Sequence, residues 1–427
     1  MIKLKSKYLI FSAVFLLIVI LLLNLSFLRN TAKRYLPDNF KNIIKVTIFG
    51  EEYLREINLN KISNYNQKIL PETQFIKILF SKRKIESINT GVENYFYAIN
   101  KKKGQVKKKF FIDIFEDEIY ILDSTGLLLK INNLSDLSEK KVENNIDKLK
   151  PLDVKDFHIL DNEIYISYSF KEAEDCDVLK IARAEINKLP LKFKTFFETK
   201  ECNNNVVAGK MTAYNHKGKK GLLVTTGSDG RSKKKYAQLD DSIYGKILFF
   251  DLITKEFQIF SKGHRNPQGL YVFNDLIFST EHGPKGGDEI NLIEFGKNYG
   301  WPISSYGEPY SFKYNDNSGY KFLKNHRKQN FQEPIYSFVP SIGISQIIKI
   351  PENFSIFWNE NFLVSSLNGR SLFRIKFDSD YKKIIYKEKI IIGERIRDVI
   401  FFKKKKLILM ALEDTGSIGI IQIKNDE

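Results

Sequence analysis

From Phe110 onward the apolar and aromatic residues come in short runs, paired around tight polar turns: FFIDIFEDEIYILDSTGLLLKI, FHILDNEIYISYSF, YGKILFFDLITKEFQIF, GLYVFNDLIFSTE, NFLVSSLNGRSLFRIKFD and DVIFFKKKKLILMAL. Runs of this length, rich in Ile, Val, Phe and Tyr and bounded by Asn, Asp, Gly or Lys, read as strands joined by hairpins. Helical spacing is absent here, so the pattern predicts an all-β sandwich, barrel or propeller. At four strands per blade, about 320 residues make about six blades, although the pattern alone leaves the number open. Residues 30–105 alternate short strand-like pieces (KVTIFG, FIKILF, YFYAI) with polar stretches and carry no assignable role.

The N-terminus has a different pattern. Tyr8 to Leu28 is uncharged and almost wholly apolar, the length a helix needs to cross a bilayer core. No small-residue cleavage site follows in NLSFLRNTAKRYLP, so an uncleaved anchor is favoured over a secretory signal. Residues 1–29 are thus expected to form a short inner tail and a single transmembrane helix in the cytoplasmic membrane, with the large domain on the periplasmic or extracytoplasmic side. Lys3, Lys5 and Lys7 are matched by Arg29, Lys33 and Arg34, so orientation rests on the shortness of the tail.

Charge adds little to this picture. The 68 Lys and Arg against 51 Asp and Glu leave a net +17, but the basic runs, such as Lys403 to Lys406, lie beside strand-like segments, where they cap turns and discourage edge pairing. Nucleic acid is therefore not an expected partner. Cys176 and Cys202, an even count in a chain expected outside the cytoplasm, are open to pairing or to remaining separate thiols.

Candidate chemistry concentrates in GHRNPQGL and STEHGPKGGDEINLIEFGKNYGWPISSYGEPY, from Gly263 onward. Arg265, Asn266 and Gln268 share a Pro-containing turn, a combination suited to a ligand bearing carboxylates. Carboxylate and backbone carbonyl oxygens nearby suit calcium over a transition metal. A solvated turn holding blades together is the other reading. His264 and His282, with no third ligand or cysteine, read as turn-stabilising residues.

GHRNPQG followed by EHGPKGGDEINLIEFGKNYGWP resembles the signature of the PQQ-dependent aldose sugar dehydrogenases, the glucose/sorbosone dehydrogenase family. ILDSTGLLLKI, YGKILFFD, PSIGIS, SSLNGRSLFRI and ERIRDV extend the resemblance over roughly 110–423. It implies a six-bladed β-propeller spanning 106–427, with PQQ and Ca2+ as cofactors. Arg265, Asn266, Gln268, Tyr310, Arg395 and Arg397 fall on or beside cofactor-contacting positions. The carbonyls of Gly283 and Pro284 match ligands of the calcium beside the quinone, and Glu289 with the Tyr299 carbonyl matches a second calcium site. The implied partners are a sugar substrate and a membrane electron acceptor.

Four departures qualify the resemblance. Val206 stands where the family places its catalytic histidine, Gly227-Ser228-Asp229 replaces a Gly-Asp turn, Asn368 replaces a lysine, and a glutamine expected before the second blade's first strand is not recognisable in DKLKPLDVKDFH. No catalytic residue is therefore assigned, and a histidine at 206 would be expected to restore a base. Two functions remain open: oxidation of an aldose or related alcohol, or binding of a saccharide or protein partner by a catalytically impaired propeller.

Overall fold

The computed structural model of the chain describes residues 78–88, strands 93–97 and 102–106, and 109–423 apart from 133, 135–137, 204, 229–235, 310–321 and 356. The apolar segment Tyr8 to Leu28 lies outside these residues. Among the described residues, no helix is long and apolar enough to cross a membrane.

The expected all-β fold is present as six four-stranded antiparallel sheets, the blades of a propeller. Blade 1 comprises Phe110–Phe115, Glu118–Asp123, Leu128–Ile131 and Glu139–Lys141; blade 2, Asp153–Leu160, Glu163–Ala173, Cys176–Glu185 and Lys194–Glu198. Blade 3 comprises Ala208–His216, Lys219–Thr226, Lys246–Asp251 and Phe257–Lys262; blade 4, Pro267–Phe273, Leu276–Glu281, Asp288–Ile293 and Tyr336–Phe338. Blade 5 comprises Ile344–Lys349, Asn361–Ser366, Ser371–Phe377 and Ile384–Ile391. Blade 6 takes Ile396–Phe402, Leu407–Leu412 and Ser417–Ile423 from the C-terminal end, and its outermost strand is Ile78–Lys84, paired antiparallel with Ser417–Ile423. The ring thus draws its closing strand from the segment 30–105, which was expected to lie outside the propeller. First strands of successive blades touch one another, and that of blade 6 touches that of blade 1.

Local sequence explains the hairpins. Glu116-Asp117, Lys217-Gly218 and Asn274-Asp275 all hold positive φ, as two-residue turns matched to strand twist require. The continuous apolar runs follow from burial on both faces of a blade. In Lys246–Asp251, Leu248 and Phe250 pack toward blade 2 with Tyr165 and Leu179, whereas Ile247 and Phe249 pack toward blade 4 with Leu270 and Ile277. A period of two divides one strand between two interfaces. Six principal clusters result, one at each junction between neighbouring blades.

The first strands of blades 2 to 6 share an irregularity. Each shifts register close to its start: between Val154 and Asp156, Ala208 and Met211, Pro267 and Gly269, Ile344 and Ile347, and Ile396 and Asp398. A bulge leaves backbone groups outside the ladder and re-aims the extra side chain. The free carbonyls are taken by hydroxyls. Ser167 donates to the Gly209 carbonyl at 2.6 Å, Thr225 to that of Pro267 at 3.1 Å, and Thr280 to that of Ser345. Ser345 in turn donates to the Ile396 carbonyl at 2.6 Å, with Ser365 Oγ 2.8 Å behind it. Each contact joins one blade to the next.

Cys176 and Cys202 form a disulfide across a separation of 26 residues. It fastens the connection leading into blade 3, where Asp177 and Asn203 exchange backbone hydrogen bonds and the Glu201 carboxylate accepts from Ser242 Oγ and the Ile243 amide.

Thr280→Val removes a blade-to-blade donor and leaves the buried Ser345 carbonyl without it, so a loss of about 1–3 kcal/mol is expected in chemical denaturation. Thr280→Ser keeps the hydroxyl and should lose much less; equal losses in the two variants would show that the hydrogen bond is not the cause.

Candidate functional site

The bulges also decide which side chains enter the site. The skipped residues include Lys155, Lys210, Gln268, Gln346 and Arg397, long polar groups on five successive first strands. They are tied into networks. The Gln346 amide oxygen accepts from the Leu270 and Ile347 amides, linking blades 4 and 5.

Arg397 starts a directed chain. Its Nε donates to Glu413 at 2.6 Å and its Nη1 to Gln268 Oε1 at 2.9 Å. Gln268 Nε2 therefore donates to Asn266 Oδ1 at 2.8 Å, which leaves Asn266 Nδ2 facing His282 Nδ1 at 3.5 Å. Because a guanidinium can only donate, both amide orientations follow, as does the His282 tautomer: Nδ1 accepts and Nε2 carries the proton. Burial holds the His282 pKa below the ordinary histidine value; nearby Arg265 and Arg397 add to this, against Asp288 and the Ile344 carbonyl.

The turn before blade 4 is built around Glu281. This buried carboxylate accepts from the backbone amides of Arg265 and Asn266 and from His264 Nδ1 at 3.1 Å. His264 lies 2.8 Å from Ser261 Oγ and stacks on Tyr299, so it stabilises the turn as expected. Gly263 has φ +81, and a Cβ there would meet Asn298 Oδ1 at 2.2 Å. Arg265 is held over Trp301 with its centre 5.4 Å from the ring, and its Nη1 donates to the His282 carbonyl at 2.9 Å.

A crevice of about 240 Å³, counting its open mouth, is lined by Arg265, Glu281, His282, Gly283, Pro284, Glu289, Tyr299 and Trp301 among others. Asp288 shapes its wall, accepting from the amides of Gly283, Ile342 and Ile344, all at 3.0 Å. Glu289 lies opposite Glu281 in the sheet. Its carboxyl is held well above the usual carboxylate range by burial, with Glu281, Glu333 and Asp288 adding to the effect and Asn291 opposing it. Its polar neighbours are Asn291 Nδ2 at 3.3 Å and His326 Nε2 at 4.0 Å.

Arg265, Asn266, Gln268, Arg395 and Arg397 are therefore brought together, the last two by sharing Glu413. Gly283, Pro284, Glu289 and Tyr299 meet in the crevice beside Arg265, whereas Tyr310 lies outside the described residues. Among the departures, Ser228 is buried, with its carbonyl accepting from Trp301 Nε1 at 2.6 Å, and Asn368 is exposed. Val206 is 2% exposed and packs with Tyr165, Leu179, Met211 and Tyr244. This corrects the expectation of a restored base: a histidine at 206 would lie in an apolar inter-blade core.

Sequence reasoning missed Glu281 and Glu413, although both stand at the exit of their blade's second strand, where STEHG and LEDTG already show an acid before a turn. It also missed an ionic group shared by blades 2, 3 and 6. Lys210 Nζ lies 3.0 Å from Asp156 Oδ1 and 3.2 Å from Asp398, whose Oδ2 accepts from the Ile112 amide of blade 1. One ammonium between two buried carboxylates leaves a negative charge uncompensated. Burial pushes Asp156 up to about 7, with Lys210 opposing and Asp398 adding.

Six blades around a mouth of arginines, amides and buried acids define a sugar-dehydrogenase-like propeller. The Glucose / Sorbosone dehydrogenase family model matches residues 152–420, and the chain belongs to that family. Aldose sugar dehydrogenase YliI of Escherichia coli is 28% identical over 174 residues, 39% of this chain and 44% of that protein. Quinoprotein glucose dehydrogenase B of Acinetobacter calcoaceticus is 46% identical over 65 residues, 15% of this chain and 12% of that one. The match thus spans less than half the length of these curated relatives. A crystal structure of glucose dehydrogenase superposes with a TM-score of 0.63 at 20% identity, covering 82% of this chain and 100% of that one. The PQQ-bound aldose sugar dehydrogenase of Streptomyces coelicolor gives 0.54 at 15% identity, with 82% and 100% coverage. At these identities the structural likeness carries the fold.

Asp156 supplies a pH signature. A carboxyl whose pKa is raised on folding binds its proton more tightly in the folded chain, so its contribution favours folding at low pH and is lost as pH rises from its ordinary 3.8 through about 7. Urea denaturation at pH 5 and pH 8 should therefore show a smaller loss with rising pH in Asp156→Asn than in wild type. Identical pH dependence would remove Asp156 as its source.

Proposed function

We propose that the chain is a membrane-anchored, PQQ-dependent dehydrogenase that oxidises an aldose or related alcohol. The observation that carries this reading is the hydrogen-bonded assembly of Arg395, Arg397, Gln268, Asn266 and His282 beside the Arg265 crevice. The donor set suits PQQ. Arg395 and Arg397 are held by one carboxylate between them, and among the described residues Arg265 Nε is buried without a hydrogen-bond partner. Bound PQQ, an ortho-quinone with three carboxylates, would supply the two-electron acceptor.

The protein's own residues bind and orient. Arg265, Arg395 and Arg397 offer planar cations to carboxylates, and Asn266 and Gln268 hold fixed amide orientations. His282 keeps Nδ1 toward Asn266, which fixes the end of that chain. Among the described residues, no group of three or more His, Cys, Asp or Glu side chains is placed to hold a metal. Calcium here would use the backbone carbonyls of Gly283 and Pro284 at one site and the Tyr299 carbonyl with Glu289, a buried carboxyl that suits a hard cation, at a second.

Tyr8 to Leu28 would anchor the chain in the cytoplasmic membrane, keeping the propeller outside and near a membrane electron acceptor. The Cys176–Cys202 bond supports such an oxidising location.

Purified protein with PQQ and calcium is expected to reduce an artificial dye on addition of an aldose, and to melt at higher temperature than the apoprotein. Cofactor binding without dye reduction across a panel of aldoses would instead favour a binding propeller; no binding in a folded sample would remove the quinoprotein reading. Protease added to spheroplasts should digest the propeller, and full protection there would reverse the assigned topology.

A further inference from the structure

Where the first strands of blades 6, 1 and 2 meet, Lys109 and Lys155, cations that the assembly above does not use, join Arg395 and Arg397. Lys109 immediately precedes the first strand of blade 1, and Lys155 is the bulge residue of blade 2. Both contact the same oxygen, Asp153 Oδ2, at 2.5 and 2.7 Å. The next blade round contributes Arg395 and Arg397, which share Glu413. Asp414, adjacent, accepts from the Arg395 amide and is paired with Arg370 at 3.3 Å. Among the described residues, the ion pairs of Lys109, Lys155, Arg395 and Arg397 are made with Asp153 and Glu413, four cations to two carboxylates.

These groups act on one another. Burial lowers the Lys109 pKa; Asp153 opposes this, while Lys155 and Arg397 push it further down. Asp153 is held below the usual carboxylate range: burial would raise it, and Lys109 and Lys155 outweigh that effect. The Lys109 and Lys155 side chains remain 23% and 11% exposed, and those of Arg395 and Arg397 30% and 10%. The excess charge is partly desolvated yet open to a ligand, conditions under which an anion gains more than it would from fully solvated lysines.

We propose that Lys109 and Lys155, together with Arg397, form a further carboxylate-binding element at the junction of blades 6, 1 and 2. The carboxylate has two sources, the quinone cofactor or an acidic sugar, and for the first of these the proposal rests on the reading above. Lys109 and Lys155 are positioned to hold the anion by charge; they need no part in proton transfer.

The test uses the full chain with Lys109→Met and Lys155→Met made separately, since each variant leaves Asp153 one ammonium partner. Circular dichroism and thermal melting check that both fold. Calorimetry measures binding of PQQ in the presence of calcium, and of glucuronate with glucose as the neutral control. Tenfold or greater weakening of PQQ binding in both variants, shrinking as salt is raised, supports the element and assigns the carboxylate to the cofactor. Unchanged PQQ binding with tenfold weaker glucuronate binding, glucose being unaffected, supports it and assigns the carboxylate to the substrate. Changes below twofold for both anions in both variants overturn it. Wild type that binds glucuronate but not PQQ overturns the cofactor reading alone and leaves the element to be decided by the glucuronate arm; wild type that binds neither overturns both.

Discussion

A hydroxyl of one blade donating to a carbonyl freed in the next is the contact on which the other features depend. A regular first strand would spend its carbonyls inside its own ladder and point its side chains along the normal alternation. The bulge changes both at once. It exposes the carbonyls that Ser167, Thr225 and Thr280 bind, and it turns Lys210, Gln268 and Arg397 toward partners in other blades. Stability of the ring and placement of the polar groups are therefore one structural decision, repeated from blade to blade.

The charges obey a second regularity. Three charged groups are each shared by two opposite partners: Lys210 by two aspartates, Asp153 by two lysines, Glu413 by two arginines. Sharing lowers the cost of burial without cancelling the charge, since a group with two partners leaves one of them in excess. The sign of the residue left over decides what each locality attracts. Around Lys210 the surplus is negative and, with burial, raises the Asp156 pKa; around Asp153 and Glu413 it is positive.

What the sequence revealed was local chemistry. Hairpins were legible because Asn274-Asp275 and Lys217-Gly218 satisfy turn geometry by themselves, and Arg265 to Gln268 was legible because its functional groups are contiguous. Lys155 and Lys210 were not, because a lysine in a strand gives no sign that its register slips by one residue. Ile78–Lys84 was obscured by its exposed, charge-rich outer position, and its partner lies at the other end of the domain. Val206 illustrates the opposite error: alignment to a motif assigned it a place on the site, while burial between blades 2 and 3 gave it a packing role.

The pairing of Ile78–Lys84 with Ser417–Ile423 sets the order of assembly. The first of these strands precedes blades 1 to 5 in the chain and its partner follows them, so no amount of local folding can complete blade 6 beforehand. Until then the nascent domain is an open arc with an unpaired edge at each end, the condition in which strands recruit foreign ones. Pairing of the two strands converts that arc into a ring in a single long-range step.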